Sequence, residues 1–368
     1  MSGVIFKSVT CSLCLLNTLT SSLPMGLSSL KSPLRKINTT MKAIQIHSFG
    51  GPSVLKVETN VPTPIPTEGQ VLVKVHAAGI NPVDAYLRER AFSSSPKLPL
   101  ILGKEVAGDV VTITDTGDEN CNQYKPGDRV ICCLPHDRGY AEYAVCDVDH
   151  TLRLPSHMSY AEGAAIYVAY FTAYRGLVTK LKIKKNELVL VHGASGAVGS
   201  AAVQIAKHIG AIVVGTAGTE EGLKMVKEIG ADYVVNHREA THLTQALDLV
   251  PNAVGFDAIL ENRATTNLAK DLASIGPKGR IAVVGAKESV TVDPRLLIKT
   301  EGYVTGVNVA NISKQQWKKY IEAISTGMQE GWVKPVIARE YLMEDIQQAH
   351  EDLMKKHGHH GKLVLKIS

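Results

Sequence analysis

The sequence predicts an α/β protein, with a β-rich, barrel-like domain followed by a doubly wound parallel sheet, on three observations. As far as residue 167, short apolar runs alternate with turn signals such as Gly50-Gly51-Pro52, a pattern typical of strands. Beyond it, apolar runs alternate with helical stretches, which indicates parallel strands whose helices cover both faces of the sheet. Within that second part, the apolar residues 188–192 lead into a glycine-rich turn.

Length and composition agree with this fold. A chain of 368 residues is long enough for two domains, and 45% hydrophobic with 20% charged residues is typical of globular proteins. No uninterrupted apolar run is long enough to span a bilayer, so we expect no membrane partner. The six cysteines lack the spacing of a structural zinc site and are too few for a disulfide scaffold of this size.

The first 40 residues differ in composition from the rest of the chain. They contain four basic residues and eight serines, and the first acidic residue is Glu58. This composition is typical of a mitochondrial transit segment; an unstructured extension and translation that begins at Met41 are the alternatives. We therefore expect the protein in the cytoplasm or the mitochondrion. Because the formal net charge of +5 includes these four charges, the remainder is nearly neutral and gives little support for a nucleic-acid surface.

The element pattern places the barrel-like domain at residues 41–167 and the parallel-sheet domain at 168–330. Barrel strands are predicted at residues 42–47, 70–77, 108–114 and 128–132. Strands of the parallel sheet are predicted at 188–192, 211–216, 233–236, 256–261, 280–284 and 303–307, and helices at 197–209, 220–229, 242–249, 266–274 and 315–328. A last strand, at 363–367, is expected to return to the first domain.

The turn at residues 193–199 reads Gly-Ala-Ser-Gly-Ala-Val-Gly and opens a helix. It has the form of the phosphate-binding corner of a dinucleotide fold, because the free N–H groups and the dipole of the first helical turn attract a pyrophosphate. Gly193 and Gly196 permit the turn and a close phosphate approach, and Gly199 lets the helix lie against the strand. A tight strand–helix turn without a ligand is the alternative interpretation.

The end of the second parallel strand predicts which dinucleotide binds. NAD sites carry an acid there for the ribose 2′-OH, but residues 214–219 contain none. Lys224, His237 and Arg238 follow, and such cations and donors favour a 2′-phosphate, hence NADPH. Surface roles for the two longer cations are the alternative, and the acids at 220–221 weaken the argument.

We predict no metal. Two-domain alcohol dehydrogenases hold a catalytic zinc with Cys and with the His of a Gly-His-Glu segment. The corresponding segment here is Gly103-Lys104-Glu105, and a protonated lysine does not ligate zinc. No cysteine occurs between Cys14 and Cys121, and the lobe of closely spaced cysteines that holds structural zinc is absent. The histidine-rich residues 357–360 are interpreted as a polar turn rather than a metal site.

Several segments, in order along residues 42–368, resemble one family. They include Phe49-Gly50-Gly51-Pro52, Asn81-Pro82-Val83-Asp84, Gly139-Tyr140-Ala141-Glu142, Tyr170-Phe171-Thr172-Ala173, Val191–Gly199 and Gly331-Trp332-Val333-Lys334. The chain resembles the zeta-crystallin family of NADPH:quinone oxidoreductases, zinc-free members of the medium-chain dehydrogenase/reductase superfamily. Lys104 and the Pro-His-Asp-Arg run at 135–138 depart from the family pattern, which leaves the choice of substrate open.

The resemblance implies a GroES-like β-barrel domain, a Rossmann doubly wound domain and a return to the barrel domain over residues 331–368. It implies quinone reduction by NADPH without metal or flavin, in zeta-crystallin by one-electron steps that yield semiquinones. It also implies a homo-oligomer, either a tetramer or a dimer. The cofactor contacts carried over from matching segments are Tyr86, Ser195, Gly196, Ala197, Val198, Gly199, Gly218, Lys224, His237, Asn267, Val284, Gly285, Ala286, Lys287, Val307, Asn308 and Val309.

Transfer of reducing equivalents from the nicotinamide to a quinone requires positioning and a donor for the developing oxyanion. We expect Tyr86 to be that catalytic donor, with Asn81 as the second candidate. The alternative reaction is NADPH-dependent reduction of an activated carbon–carbon double bond in an alkenal, enone or enoyl thioester. The alternative from another class is a crystallin-like structural protein or a binder of AU-rich RNA.

Overall fold

The structure, a computed structural model, describes residues 38–91, 97–114, 123–355 and 359–368. Residues 38–368 form one compact unit. The predicted transit segment lies almost entirely outside the described residues, so its interpretation stays a prediction. Among the described residues, no helix combines the length and the apolarity that crossing a membrane requires.

Strands dominate the first part of the chain, and strands and helices alternate in the second. The strands are β1 (Thr40–Ile46), β2 (Lys56–Pro62), β3 (Gln70–Ile80), β4 (Leu100–Ile101), β5 (Glu105–Ile113), β6 (Arg129–Cys133), β7 (Tyr143–Asp147), β8 (Thr151–Arg153), β9 (Leu188–Val191), β10 (Ile212–Ala217), β11 (Tyr233–Asn236), β12 (Phe256–Glu261), β13 (Ile275–Val283), β14 (Tyr303–Gly306), β15 (Ile337–Leu342) and β16 (Lys362–Lys366). The α-helices are α1 (Pro82–Arg88), α2 (Tyr160–Gly163), α3 (Thr172–Tyr174), α4 (Ala197–Ile209), α5 (Glu220–Glu228), α6 (His242–Asp248), α7 (Ala264–Ser274), α8 (Arg295–Thr300), α9 (Lys314–Glu330) and α10 (Ile346–Met354).

The barrel-like part is built from two sheets. One is a seven-stranded sheet with the order β15-β16-β3-β5-β6-β8, in which β7 also pairs with β3, and the other has the order β2-β1-β4. The central strand β3 buries Val71, Leu72, Val73 and Val75, and of residues 71–75 only Lys74 is exposed, so both faces of this strand are largely covered. The predicted last strand is β16, which pairs antiparallel with β3.

The second part is a six-stranded parallel sheet with the order β11-β10-β9-β12-β13-β14. Strand β9 is buried along its whole length, which fits a sheet covered by helices on both faces. The chain order reverses between β9 and β12, and a doubly wound sheet binds its ligand at that switch point, beyond the carboxyl ends of the strands. Helix α4 begins there and ends at Gly210 in the left-handed conformation, with φ of 88°.

The predicted elements of this sheet agree with the observed ones to within a few residues, except that β13 begins five residues earlier than expected. The helical stretch from Tyr160 to Lys180 was missed, as were α1, α8 and α10. That stretch contains π-helical turns at Tyr167–Phe171 and Arg175–Lys180 and is rich in aromatic residues, which favour strands by local preference. Its packing against α4 decides its conformation instead. The domain boundaries drawn at 167/168 and 330/331 stay a prediction.

Candidate active site

The glycine turn joins β9 to α4 as the sequence predicted. Gly193 has φ of +59°, in the left-handed region that favours glycine, and its amide donates to Thr216 Oγ1 over 3.1 Å. A Cβ atom on Gly199 would stand 2.2 Å from the Gly193 carbonyl oxygen, so only glycine lets α4 lie against the turn. A Cβ on Gly196 would meet that oxygen at an ordinary 3.5 Å. The turn is therefore built for close backbone approach, and Ser195, Gly196, Ala197 and Val198 lie at its partly exposed surface.

Three consecutive residues near the C-terminus contact both the parallel-sheet domain and the barrel. They are His360, Gly361 and Lys362, and we call them the C-terminal strap. The Gly361 amide donates a 2.7 Å hydrogen bond to the Ser195 carbonyl oxygen, and Gly361 forms a parallel bridge with Gly196. Gly361 has φ of +101°, and a Cβ there would stand 2.3 Å from the Val336 carbonyl oxygen. The phosphate-binding turn is thus hydrogen-bonded to the strand that leads back into the barrel.

At the end of β10, Gly218 is covered by side chains from the end of β11. A Cβ on Gly218 would stand 2.6 Å from His237 Nε2 and 3.2 Å from Arg238 Nε. Burial, followed by the positive charge of Arg263, lowers the pKa of His237 to about 4. His237 is therefore neutral at neutral pH, and the positive charge that contacts Gly218 belongs to Arg238. The predicted place of His237 beside the adenosine ribose and its 2′-phosphate stays a prediction, with the neutral ring as a hydrogen-bonding group there.

Lys224, another predicted cofactor residue, lies on the exposed surface of α5. Its side chain is 79% exposed and lies 4.0 Å from Glu228 one helical turn away. Such an exposed pair contributes little stability. A role for this exposed ammonium at the 2′-phosphate stays a prediction.

The remaining predicted cofactor residues follow β12, β13 and β14 at the same edge of the sheet. The Val284 amide donates to the Glu261 carbonyl over 2.8 Å, and the Val307 amide donates to the Val283 carbonyl over 2.9 Å. Val284, Gly285, Val307 and Val309 are partly exposed, and Ala286, Lys287 and Asn308 are exposed. The structure thus brings these residues and the glycine turn to one edge. Asn267 differs, because it is buried and donates to Glu261 over 3.4 Å.

Beneath the turn lies a buried cluster of His192, Glu261 and Asp271, whose potential ligand atoms lie within 4.8 Å of one another. The His192 ring contacts Asp271 Oδ1 at 2.8 Å, and burial raises the pKa of both carboxyl groups while it lowers that of the imidazole. Of the two carboxyl groups, that of Glu261 has the more strongly raised pKa, so it keeps its proton to higher pH. On its other side the ring lies 3.5 Å from Thr216 Oγ1, which accepts from the turn at Gly193. Sequence analysis did not find this cluster, because its members are distant in the chain.

Asn81, the second predicted catalytic donor, is almost fully buried, with 2% of its surface exposed. Its amide nitrogen donates to Glu105 Oε1 over 3.0 Å, and its oxygen accepts from the ammonium of Lys362 over 2.5 Å. Lys362 also forms an ion pair with Glu105, in which both side chains are buried. The Asn81 amide is thus engaged inside the protein at both its atoms. This geometry favours a positioning role for Asn81 over the donor role expected from the sequence.

Tyr86, the first predicted donor, lies on α1, whose N-cap residue is Asn81. A capping box between Asn81 and Asp84 fixes the start of this helix, and Tyr140 donates to Asp84 over 2.8 Å. Burial, then the nearby Asp137, raises the pKa of Asp84 to about 7. Partial burial, with the charge of Glu89, raises the pKa of Tyr86, so its hydroxyl is a neutral hydrogen-bond donor at neutral pH.

The position expected for a histidine zinc ligand holds an ion pair. The Lys104 ammonium donates to Asp137 and to the Pro135 carbonyl oxygen, each over 2.9 Å, and the lysine side chain is 16% exposed. An ammonium held in this way offers no lone pair to a metal. Cys132, Cys133 and Cys146 are free and buried, and burial contributes to a raised pKa for the first two, so they stay thiols. These residues do not fit a catalytic zinc.

A cavity of about 600 Å³ opens between barrel residues and the segment after β14. Its wall includes Val309 and the aromatic rings of Tyr167 and Trp317, whose centroids are 5.5 Å apart at an interplanar angle of 27°. The barrel side includes Pro135, whose carbonyl oxygen accepts from Lys104, His136 and the segment 147–150. The volume is large enough for a planar molecule of two or three fused rings. The two rings stack on each other and are buried, and charged side chains such as Asp149 and Lys314 also line the cavity.

Comparison with known proteins places this geometry in a family. A family model described as zinc-binding dehydrogenase matches residues 197–326, and one described as the alcohol dehydrogenase GroES-like domain matches 67–182. The quinone oxidoreductase of Homo sapiens is 42% identical over 328 residues, 89% of this chain and 98% of that protein. The chain belongs to the quinone oxidoreductase family of the medium-chain dehydrogenase/reductase superfamily. The predicted fold class, a GroES-like barrel with a Rossmann sheet, is confirmed.

Two further relatives fit this membership. The quinone oxidoreductase of Lama guanicoe is 44% identical over 328 residues, 89% of this chain and 98% of that protein. A mycobacterial protein solved in complex with NADPH is 26% identical with a TM-score of 0.79, covering 89% of this chain and 100% of that one. The description of one family model names zinc, yet the Lys104–Asp137 ion pair occupies the place of a zinc ligand in this family member.

Proposed function

We propose that this chain is an NADPH-dependent quinone reductase that needs neither metal nor flavin. The cavity of about 600 Å³ carries this proposal, because it includes the predicted nicotinamide residue Val309 in its lining and has room for an acceptor of two or three fused rings. The names of the relatives agree with that activity, and the mycobacterial structure holds the same dinucleotide.

The residues at the sheet edge have separate tasks in this reaction. The amides of the first turn of α4, beyond Gly196, bind the pyrophosphate, and the side chains around Gly218 bind the adenosine ribose with its phosphate. When bound, NADPH supplies the reducing equivalents at its nicotinamide ring. The partly exposed Val307 and Val309 cover the nicotinamide side. Tyr86 lies on α1, outside the lining of the cavity, so its role as hydrogen-bond donor to the acceptor oxygen requires an acceptor that extends from the cavity to α1.

A comparison of acceptors tests the proposed reaction against its rival. NADPH oxidation is followed with 9,10-phenanthrenequinone and with a 2-enoyl thioester, and we expect a higher kcat/KM for the quinone. A higher kcat/KM for the thioester supports reduction of carbon–carbon double bonds instead. Detection of radicals by electron paramagnetic resonance during quinone turnover tests the expected one-electron steps; their absence supports hydride transfer.

We propose that the protein is a homo-oligomer whose copies pair along β14. This strand is the outer edge of the parallel sheet, and Tyr303 and Val304 on it are 41% and 37% exposed, next to Ile298, which is 77% exposed. Exposed apolar edge strands are covered in stable proteins, and a second copy covers this one by continuing the sheet. Sedimentation analysis of the parent chain is expected to show a dimer or tetramer. The Val304→Lys variant is expected to be monomeric. A monomeric parent chain contradicts the proposal.

Binding of AU-rich RNA and mitochondrial import are the other two expectations carried from the sequence. A salt-sensitive gel shift that NADPH competes away supports RNA binding, and no shift at low salt contradicts it. We propose import through residues 1–40, whose composition supports it. A fusion of these residues to a fluorescent protein is expected in mitochondria; a uniformly cytoplasmic signal supports the alternative.

A further inference from the structure

We propose that Arg175 is a positioning residue, which holds the segment between β14 and α9 in the conformation that orients the nicotinamide of NADPH. This segment, residues 307–313, carries the predicted nicotinamide residues Val307 and Val309, and we call it the nicotinamide segment. The inference rests on the proposed function, since it takes NADPH as the cofactor. Arg175 is not among the predicted cofactor contacts, and it acts through the segment rather than on the cofactor.

The hydrogen bonds of Arg175 are the first observation. Arg175 is 6% exposed, and its Nη2 atom donates to the Asn311 carbonyl oxygen over 3.0 Å. Its Nη1 atom donates over 3.0 Å to the side-chain oxygen of Gln316, which completes the capping box of α9. The planar fork of one guanidinium thereby joins the nicotinamide segment to the first turn of the helix that follows it.

The neutral partners of this buried cation are the second observation. Its Nε atom is buried without a hydrogen-bond partner, and within the part of the chain that the structure describes no carboxylate forms an ion pair with Arg175. By contrast, the buried Arg88 forms an ion pair with Glu89. A buried charge without a counter-ion costs stability, so packing alone does not account for an arginine here. What its hydrogen bonds hold in place is the explanation that we infer.

The nicotinamide segment itself has few other attachments. Six of its seven side chains are partly or fully exposed, and its internal hydrogen bonds form one short turn in which the Asn308 side chain accepts from the Ala310 amide over 2.9 Å. Gly176, next to Arg175, lies against the start of the segment, because a Cβ there would stand 3.6 Å from Cγ2 of Val307. A segment with few buried apolar contacts opens easily, so the two hydrogen bonds of Arg175 are needed to fix it.

The consequence concerns the face of the nicotinamide from which hydrogen leaves. The C4 atom of the reduced ring carries two hydrogens, one on each face, and a ring held in one orientation presents only one of them to the acceptor. The pyrophosphate and ribose contacts belong to the glycine turn and the end of β10, which Arg175 does not contact. Loss of Arg175 is therefore expected to affect orientation more than affinity.

NADPH with deuterium at one of the two C4 positions tests the inference. The deuterium left in NADP⁺ after quinone turnover is measured by mass spectrometry, and we expect the parent to remove hydrogen from one face alone. Arg175→Met is expected to remove it from both faces and to lower kcat about tenfold, while the Kd for NADPH changes less than about twofold. Unchanged stereospecificity in Arg175→Met, or none in the parent, overturns the inference. A parent that neither binds nor oxidises NADPH contradicts the proposed function itself.

Hydrogen–deuterium exchange of the chain without cofactor gives a second readout, which does not depend on turnover. The peptide amides of the nicotinamide segment are expected to exchange faster in Arg175→Met than in the parent. Unchanged exchange contradicts the inference even where the variant is inactive. Arg175→Lys keeps the charge but not the planar fork, so it is expected to lie between the parent and Arg175→Met. If it matches the parent in both readouts, charge alone explains the effect and the attachment is contradicted.

Thr179→Val is the matched control. The Thr179 and Tyr320 hydroxyl oxygens lie 2.5 Å apart and join the same two helical stretches as Arg175 and Gln316, four residues farther along each. Because this contact lies outside the nicotinamide segment, the variant is expected to keep the exchange rates of the segment and the stereospecificity of the parent. Loss of both in Thr179→Val means that general packing of the two helices is responsible, which overturns the specific role of Arg175.

Discussion

The Gly361 amide donates its hydrogen bond to the carbonyl oxygen of Ser195, so the last strand of the barrel is attached to the phosphate-binding turn. Its neighbours extend this contact in both directions. His360 reaches Thr219 at the ribose end, and Lys362 reaches Asn81, which caps the helix that carries Tyr86. Three consecutive residues therefore link the phosphate turn, the ribose end and the predicted catalytic helix.

Removal of the Lys362 ammonium is expected to destabilise the fold. Lys362 is 3% exposed and its partner Glu105 is fully buried, so Lys362→Met leaves an unpaired buried carboxylate. We expect the free energy of unfolding to fall by about 3–5 kcal/mol in urea titrations. Adding Glu105→Gln is expected to recover part of that loss; a Lys362→Met variant as stable as the parent contradicts the importance of this pair.

Alanine substitutions at two glycines of the phosphate-binding turn are expected to affect different properties of the protein. Gly199→Ala places a Cβ 2.2 Å from the Gly193 carbonyl oxygen, so the variant is expected to lose both stability and NADPH binding. Gly196→Ala meets only an ordinary 3.5 Å contact, so it keeps its stability and loses affinity alone, because the methyl group obstructs the phosphate. Thermal unfolding and fluorescence titration measure the two properties. Equal stabilities of the two variants contradict the assignment of Gly199 to packing.

Tyr86→Phe tests the proposed donor. Without the hydroxyl, kcat for a quinone is expected to fall about a hundredfold, the lower end of the range for a lost donor in the transition state. The Kd for NADPH is expected to stay within about twofold, because the phosphate and ribose contacts do not involve this residue. Unchanged turnover means that Tyr86 only lines the site.

A larger side chain at Ala310 tests the acceptor cavity. Ala310 lines the cavity and is exposed, so Ala310→Phe fills space without disturbing the core. The KM for 9,10-phenanthrenequinone is expected to rise about tenfold while the Kd for NADPH is unchanged. If KM stays constant, the quinone binds elsewhere.

The buried acids predict a pH dependence of stability. Burial raises the pKa of Glu261 to about 8 and that of Asp271 to about 7. The folded chain therefore binds more protons than the unfolded chain between about pH 4 and pH 8, and this contribution is lost as pH rises through that window. Glu261→Gln keeps a hydrogen-bond donor near Asp271 but does not ionise. The free energy of unfolding of this variant, minus that of the parent, is therefore expected to increase as pH rises.

The variant is compared with the parent at each pH because buried histidines change the free energy of unfolding with pH in the opposite direction. The pKa of His350 is lowered to about 3, mainly by burial, so its contribution is lost as pH falls. The stability of Glu261→Gln relative to the parent is expected to increase by at most about 1.4 kcal/mol per pH unit, because one proton is involved. The exposed Glu330→Gln is the control and is expected to show no such gain. A gain that does not grow with pH means that Glu261 is ionised in the folded chain.

Local patterns were enough to predict the parallel sheet and its glycine turn. Helix α4 and strands β11 and β12 have the predicted bounds, because buried parallel strands and covering helices have distinct periods and glycine marks the turn between them. The helical stretch from Tyr160 was not predicted, since its aromatic residues favour strands and only packing makes it helical. The same limit applies to His192, Glu261 and Asp271, which no local pattern joins.

By itself the sequence determined the order of the elements, the phosphate turn and the lysine at the position of a zinc ligand, because each depends on residues adjacent in the chain. Only the tertiary structure decided which distant side chains meet there. It turned Lys224 outward, buried the amide of Asn81 and brought His360 to Thr219, 141 positions away. Such contacts follow from the return of β16 to the barrel, and the pairing of one strand with another across the fold leaves no periodic signal in the chain.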